Sequence, residues 1–174
     1  GIRESAYINY CHASVLRDLG ATMATLNAYL TLIGLETLPL RMNQHMKNAE
    51  IIAKFLKSHP KVDYVSWAGF NENIYHELAK KYFTNGFGSV FTFSVKGGYD
   101  SAKKLVENCN LISHLANVGD TKSLIVHPAS TTHRQLSPEQ KEKSGLGDAI
   151  VRISVGLESY KDIMSDLDGA LSVI

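Results

Sequence analysis

The sequence contains few cysteines and prolines, no long apolar run, and no excess of charge of either sign. Only two of its 174 residues are cysteines, and the net charge is +1 at pH 7. A charge so close to zero argues against nucleic acid or an anionic membrane surface as a partner. No apolar run approaches the roughly 20 residues of a membrane-spanning helix, and we find no secretory signal. Because the chain has only two cysteines and shows no sign of secretion, we predict that both cysteines are reduced and that the protein is cytoplasmic.

The rest of the composition is typical of a folded domain. Hydrophobic residues make up 44% of the chain and charged residues 20%. A chain of this length and composition is able to bury a substantial core. Its first residue is glycine rather than methionine, from which we expect further sequence upstream.

Residues 1–58 are predicted to be mainly helical. A first helix is predicted over residues 3–19, with Gly20 as its C-terminal stop. A second helix, over residues 23–35, is apolar on nearly all sides, which is typical of a helix covered by a core or by another chain. Pro39 breaks or restarts the helix, and residues 40–56 are amphipathic.

Residues 59–174 are predicted to form an α+β domain, because strands and helices alternate there. The predicted strands cover residues 62–67, 89–95, 111–115, 124–126 and 150–155. The predicted helices cover residues 75–83, 100–109 with Asp100 as a cap, a short segment that Ser137 opens, and the residues after Ser159. The fold class is therefore α+β, with a small mixed or antiparallel sheet of four or five strands and helices on one face.

One residue of the last predicted strand does not fit its apolar setting. Val151, Ile153 and Val155 fall on one face of this strand, and Arg152 lies on the other. A guanidinium in so apolar a strand must be solvated or paired. One interpretation is a surface side chain that pairs with a neighbouring acid. The other is a fork that binds the carboxylate of a small ligand.

Ser123 opens the short apolar strand that Pro128 stops, and it is a candidate donor to the same anion. A serine at the start of a strand is weak evidence by itself. The sequence has no G-x-S-x-G element, no G-x-G-x-x-G or Walker loop, and no histidine pair at zinc-ligand spacing. We therefore predict no hydrolytic nucleophile, no phosphate cradle and no metal site.

Residues 123–133, SLIVHPASTTH, and residues 151–158, VRISVGLE, together resemble a known family. They are similar to the C-terminal domain of the pyridoxal-phosphate enzymes of cysteine and methionine metabolism. Residues 27–45 look like the family's helical linker, so the resemblance implies that residues 1–58 form a linker region that joins an upstream cofactor domain. Residues 75–83, 85–88 and 113–120 look most like the O-acetylhomoserine sulfhydrylase branch. The resemblance covers essentially all 174 residues.

The resemblance implies the C-terminal domain of a fold-type I pyridoxal-phosphate transferase, and it assigns roles to single residues. Arg152 would bind the α-carboxylate of the amino-acid substrate. Ser123 would lie beside that carboxylate and the cofactor-bearing lysine, with Leu124 on the same wall. Thr132 would line the pocket, and Lys122 is a candidate specificity position. No catalytic, cofactor-binding or metal-binding residue is assigned within the chain.

The family's cofactor-bearing lysine and phosphate loop lie upstream and have no match here. We therefore expect a C-terminal portion that neither binds pyridoxal phosphate tightly nor turns over alone. The complete enzyme would join an upstream cofactor domain, form a homo-oligomer, in this family a tetramer, and make homocysteine from O-acetylhomoserine and sulfide by γ-replacement. Two alternatives stay open: a methionine or cystathionine γ-lyase or γ-synthase of the same family, and a non-catalytic α+β oligomerisation module.

Overall fold

The computed structural model describes residues 5–145 and 147–174. The chain divides into two compact units, of which the first ends at Pro39 and the second spans Leu40–Ile174. The division falls inside the region that the sequence analysis treats as a helical linker. The expected domain boundary after residue 58 stays a prediction.

The first unit is helical, and its longest helix exposes an apolar surface. Its helical segments are α1 (Ala6–Tyr10), a π-helical segment (Cys11–Leu16), α2 (Arg17–Leu19) and α3 (Thr25–Glu36). Gly20 ends the first three segments with a φ of 64°, in the left-handed conformation that glycine adopts most easily. The predicted helix over residues 3–19 contains a π-helical stretch, and its residues 3 and 4 lie outside the described residues. None of the residues of α3 is buried.

The second unit consists of one sheet and the helices around it. Its helices are α4 (Leu38–Ser58), which begins just before the unit, α5 (His76–Tyr82), α6 (Gly98–Glu107), α7 (Pro138–Lys143) and α8 (Tyr160–Ser172). Its strands are β1 (Val62–Ser66), β2 (Val90–Val95), β3 (Ser113–His114), β4 (Leu124–Val126) and β5 (Ile150–Ser154). A single 3-10 turn, Pro128–Ser130, follows β4. None of the helices in the described ranges combines the length and apolarity that a membrane span requires.

The sheet has five strands in the order β1-β2-β5-β4-β3. Only β3 and β4 pair in parallel; the other neighbours are antiparallel. The predicted α+β class and mixed sheet are thus confirmed. β5 is the central strand, so it is hydrogen-bonded on both sides.

The hydrophobic core lies between one face of this sheet and α4, α6 and α8. Val151, Ile153 and Val155 are fully buried, as their alternation along the sequence predicts. They belong to one cluster with residues of the three helices, among them Ile52, Leu105 and Leu167. The opposite face of β5 is therefore the one that carries Arg152.

The predicted strand over residues 111–115 is much shorter in the structure. The carboxylate of Asp166 on α8 accepts the backbone N–H groups of Asn110, Leu111 and Ile112 at 2.8, 3.1 and 2.9 Å. Backbone donors that bind a side chain are not available to a neighbouring strand, so pairing begins only at Ser113.

Two of the three predicted helix caps do not form side-chain bonds. Gly97, rather than Asp100, occupies the N-cap of α6, and Asp100 lies in the first turn. Ser159 stands at the N-cap of α8 without a side-chain hydrogen bond. The hydroxyl of Ser137 does cap α7, because it accepts the N–H of Gln140 at 3.3 Å.

Cys109 provides a test of the packing at the end of α6. Burial, with a smaller contribution from the charge of Asp166, raises the pKa of the Cys109 thiol to about 12. Only the thiolate reacts, and a pKa of about 12 leaves a thiolate fraction of about 10⁻⁴ at pH 8. In a Cys11→Ser variant, we expect iodoacetamide to alkylate Cys109 on the order of a thousandfold more slowly in the folded protein than in 8 M urea. Mass spectrometry over time measures this ratio, and similar rates in both states would show that the packing at the end of α6 does not protect the Cys109 thiol.

Candidate carboxylate-binding site

Arg152 is the middle residue of the central strand. Its cross-strand neighbours are Thr92 on β2 and Val126 on β4. Residues that pair across strands lie on the same face of a sheet, so the guanidinium emerges between these two side chains, away from the core. Arg152 is partly buried rather than fully exposed. Two hydrogen-bonded neighbour strands therefore fix the base of this side chain.

The guanidinium binds a backbone carbonyl rather than any acid of the described residues. Its Nη2 donates to the carbonyl oxygen of Asn117 at 3.1 Å. Among the described residues, no ion pair involves Arg152. The interpretation of Arg152 as the partner of a neighbouring acid therefore finds no support in this part of the chain. A guanidinium has several N–H donors, and the bond to Asn117 uses one of them.

The turn that presents this carbonyl is held by side chains of its own. Asn117 Oδ1 accepts the N–H of Val118 at 2.9 Å, and Asn117 Nδ2 donates to Asp120 Oδ2 at 3.2 Å. Asp120 Oδ1 also accepts the N–H of Lys122 at 3.1 Å. Two hydrogen bonds hold the pKa of Asp120 below its ordinary value. The larger effect comes from the N–H of Lys122 and the smaller from the side-chain amide of Asn117. The carboxylate therefore keeps these bonds to a lower pH than an aspartate with an ordinary pKa would.

Ser123 is fully buried, and its polar groups are occupied. Its N–H donates to Glu158 Oε1 at 2.7 Å, and its hydroxyl donates to Glu158 Oε2 at 2.8 Å. The same hydroxyl oxygen accepts the N–H of Gly156 at 2.8 Å. The N–H and the hydroxyl of Ser123 are thus both bound to a carboxylate of the chain itself, although Ser123 is a candidate donor to a substrate carboxylate.

The other predicted site residues are distributed over two places. Leu124 pairs with Ser154, two residues from Arg152 on the same face of β5, so the structure brings Leu124 and Arg152 to one surface. Lys122 is exposed at the end of the Asn117 turn. Thr132 is exposed in the turn after Pro128–Ser130, where its hydroxyl bonds His133 Nδ1 at 2.8 Å. The predicted roles of these residues stay predictions.

The histidines with buried side chains have bonds that hold backbone segments together. His127 contacts the carbonyl of Asp148 through Nε2 at 2.7 Å and the hydroxyl of Ser130 through Nδ1 at 3.0 Å. His45 contacts the carbonyl of Val155 through Nδ1 at 2.7 Å. Within the described ranges, no three His, Cys, Asp or Glu side chains gather as metal ligands would.

The sequence analysis missed Asn117 and Glu158. Asn117 contacts Arg152 through its backbone oxygen, a group that every residue has, so the residue type gives no signal of this contact. Glu158 comes shortly after the buried strand β5, which ends at Ser154, and an acid so close to a buried strand is a detectable signal. Its partner Ser123 lies 35 residues earlier, however, so the pairing itself has no local signature.

Comparison with known proteins places this arrangement in a family. A profile of the Cys/Met metabolism PLP-dependent enzymes matches residues 3–172, which is nearly the whole chain. The chain belongs to the Cys/Met metabolism PLP-dependent enzyme family. The resemblance inferred from the sequence motifs is thereby confirmed.

Individual members of this family cover almost all of the chain. A homocysteine synthase of Schizosaccharomyces pombe is 45% identical over 97% of it, and O-acetyl-L-homoserine sulfhydrylase 1 of Thermus thermophilus is 44% identical over 97%. A solved structure from Campylobacter jejuni, described as an O-acetylhomoserine (thiol)-lyase with an N'-pyridoxyl-lysine-5'-monophosphate, superposes with a TM-score of 0.86. It is 44% identical and covers 94% of the chain.

The chain spans only part of these Cys/Met metabolism enzymes. It covers 39% and 40% of the length of the two curated relatives and 39% of the solved chain. Activities of the complete relatives therefore do not pass to these 174 residues without further argument.

Proposed function

We propose that this chain is the C-terminal, substrate-binding part of a PLP-dependent enzyme that makes homocysteine from O-acetylhomoserine and sulfide. The single observation that carries the proposal is Arg152, which is mounted on the central strand, has no acidic partner among the described residues, and is oriented by one backbone carbonyl. The names of relatives that are 44% and 45% identical support the choice of substrates.

In this proposal the chain binds and orients the substrate. The guanidinium of Arg152 donates two parallel hydrogen bonds to the α-carboxylate, a geometry that a lysine does not provide. The buried side chains of Leu124 and Val126 form an apolar wall on the same face, which keeps water away from these bonds and strengthens them. Lys122, at the edge of this wall, and Thr132 are proposed contacts with the rest of the substrate.

Pyridoxal phosphate, when bound, supplies the electron sink for negative charge at the substrate Cα. The described residues fit the substrate side of this cofactor, because Arg152 is a carboxylate partner. The chain spans only 39% and 40% of the length of two curated relatives of this family. We therefore propose that the cofactor-bearing lysine belongs to an upstream domain, as the family resemblance implies, and that the 174 residues alone do not turn over.

The proposal also includes a homo-oligomer in the cytoplasm. Its support is the apolar surface of α3, where Leu26, Leu30 and Leu32 are each more than half exposed. A surface of this kind requires cover by protein, either the upstream domain or another subunit. We propose that the tetramer implied by the family resemblance supplies this cover.

A substrate comparison tests the reaction against the lyase alternative. The gene's complete product is incubated with O-acetyl-L-homoserine and sulfide, and separately with L-methionine or L-cystathionine alone. We expect homocysteine and acetate in equal amounts from the first mixture, and little 2-oxobutyrate from the others. Release of 2-oxobutyrate from methionine or cystathionine at a comparable rate would favour the γ-lyase. No product from any of the mixtures would leave the γ-synthase and the oligomerisation module.

A further inference from the structure

Glu158 is the acid that both donors of Ser123 bind, and its setting is unusual for a surface residue. It is partly buried, and no ion pair of Glu158 occurs among the described residues. Its two oxygens accept one N–H and one O–H at 2.7 and 2.8 Å. Hydrogen bonds of this length to a carboxylate are charge-assisted and are about twice as strong as neutral ones. Glu158 therefore holds Ser123 by two strong bonds.

The backbone of the Glu158 turn is itself fixed from the opposite side by α4. The Nδ2 of Asn48 donates to the carbonyl oxygens of Gly156 and Glu158 at 3.0 and 2.9 Å. His45, one turn earlier on α4, bonds the carbonyl of Val155. Asn48 is oriented in turn by Gln44 Nε2, which donates to its Oδ1 at 2.8 Å. The carboxylate thus extends from a turn that cannot shift freely.

Ser123 is the residue between the candidate specificity position and the apolar wall. Lys122 precedes it and Leu124 follows it, so the position of Ser123 determines where both of them lie relative to β5. The N–H of Leu157 also donates to the carbonyl of Thr121 at 2.8 Å, which joins the same two segments once more. A chain of contacts therefore runs from α4 through Glu158 and Ser123 to the surface that carries Arg152.

We propose that Glu158 is a positioning residue for substrate binding, which acts through Ser123 to hold Lys122 and Leu124 beside Arg152. The inference rests on the proposed function, because it needs Arg152 to bind the substrate carboxylate. Glu158 does not touch the substrate in this account. Its loss loosens the wall beside the carboxylate, so the substrate binds less well, while the groups that carry the chemistry stay in place.

The test uses the gene's complete product and the variants Glu158→Ala and Glu158→Gln. We expect Glu158→Ala to raise KM for O-acetyl-L-homoserine at least about tenfold and to change kcat by less than about threefold, because binding is lost and chemistry is not. Glu158→Gln retains one acceptor oxygen and should recover part of the loss. The matched control is Glu107→Ala, which removes an exposed glutamate that pairs with Lys103 on α6 and should leave KM unchanged.

A second readout reports on the contact without any turnover. Hydrogen exchange of the Ser123 amide, followed by mass spectrometry on a peptide that contains it, should accelerate in Glu158→Ala and not in Glu107→Ala. Faster exchange and a lower melting temperature with KM unchanged would mean that Glu158 only stabilises the fold, which overturns the positioning role. If Glu158→Ala does not fold, Glu158→Gln decides by the same two measurements.

Measurement of Arg152→Ala in parallel separates the two proposals. A raised KM for Arg152→Ala together with an unchanged KM for Glu158→Ala refutes the positioning role and leaves the proposed function standing. An unchanged KM for Arg152→Ala refutes the proposed site, and the positioning role fails with it. A raised KM for both variants, with partial recovery in Glu158→Gln, supports both.

Discussion

Arg152→Ala in the complete enzyme should raise KM for O-acetyl-L-homoserine by about tenfold to a hundredfold. Hydrogen bonds to a charged group contribute about 1.5–3 kcal/mol, and every 1.4 kcal/mol changes an equilibrium constant about tenfold. The effect should fall on the substrate and not on the cofactor, because Arg152 lies on the substrate side of the proposed site. Steady-state kinetics give KM, and the visible absorbance of the bound cofactor should stay that of the unaltered enzyme.

Two further variants sharpen this prediction. Arg152→Lys keeps the charge and loses the planar fork, so its KM should lie between those of the unaltered enzyme and Arg152→Ala. Lys103→Ala removes an exposed cation of α6 and serves as the control, since it pairs with Glu107 at the surface. If Lys103→Ala and Arg152→Ala change KM equally, the guanidinium has no special part in binding.

Gly156→Ala should destabilise the protein by about 2–3 kcal/mol. A Cβ on Gly156 would lie 2.4 Å from the backbone nitrogen of Ser123, 2.4 Å from Glu158 Oε2 and 2.5 Å from the carbonyl carbon of Lys122. Two of these three atoms belong to the backbone, so no side-chain rotation relieves the overlap. The segment of Ser123 would have to move away from β5, at the cost typical of overpacking a tight contact.

Gly169→Ala is the matched control for this substitution. Gly169 lies within α8, and a Cβ built on it has no heavy atom within 4 Å. Alanine is the better helix former, so this variant should be more stable than the unaltered protein by about 0.5–1 kcal/mol. Urea unfolding of both variants gives the comparison, and equal stabilities would show that Gly156 is not closely packed against Ser123.

The central part of the fold can be predicted from the sequence because local patterns determine it. The alternation of Val151, Ile153 and Val155 predicts a strand with one buried face, and all three side chains are fully buried. The same alternation places Arg152 on the opposite face. Gly20 marks a helix end, because the left-handed conformation observed there favours glycine.

What the sequence could not predict depends on contacts between distant residues. Asp166 shortens the strand before Ser113 by binding N–H groups 54 to 56 residues earlier in the chain. Glu158 takes the donors of Ser123 across 35 residues. In both cases a side-chain carboxylate accepts backbone N–H groups, and the local sequence pattern does not show which partner those groups bind. The residue types were visible in the sequence, but their pairing follows only from the tertiary structure.

The candidate site shows the same limit at a smaller scale. Arg152 could be singled out because a guanidinium is rare in so apolar a strand. Its orientation, however, follows from the backbone carbonyl of Asn117. Every residue has such a carbonyl whatever its side chain, so residue type does not reveal this contact. The turn that aims this carbonyl depends on Asp120, whose carboxylate bonds both Asn117 and Lys122. Residue type therefore singles out Arg152 but not the turn that positions its guanidinium.

Competitive inhibition by L-norleucine and by its carboxamide tests the assignment of Arg152 most directly. L-Norleucine has no leaving group on Cγ, so it can bind without elimination or replacement, and the carboxamide differs from it only in lacking the carboxylate charge. We expect the unaltered enzyme to prefer the carboxylate by about tenfold or more, and Arg152→Ala to bind both compounds about equally weakly. An undiminished preference in Arg152→Ala would show that another group receives the carboxylate.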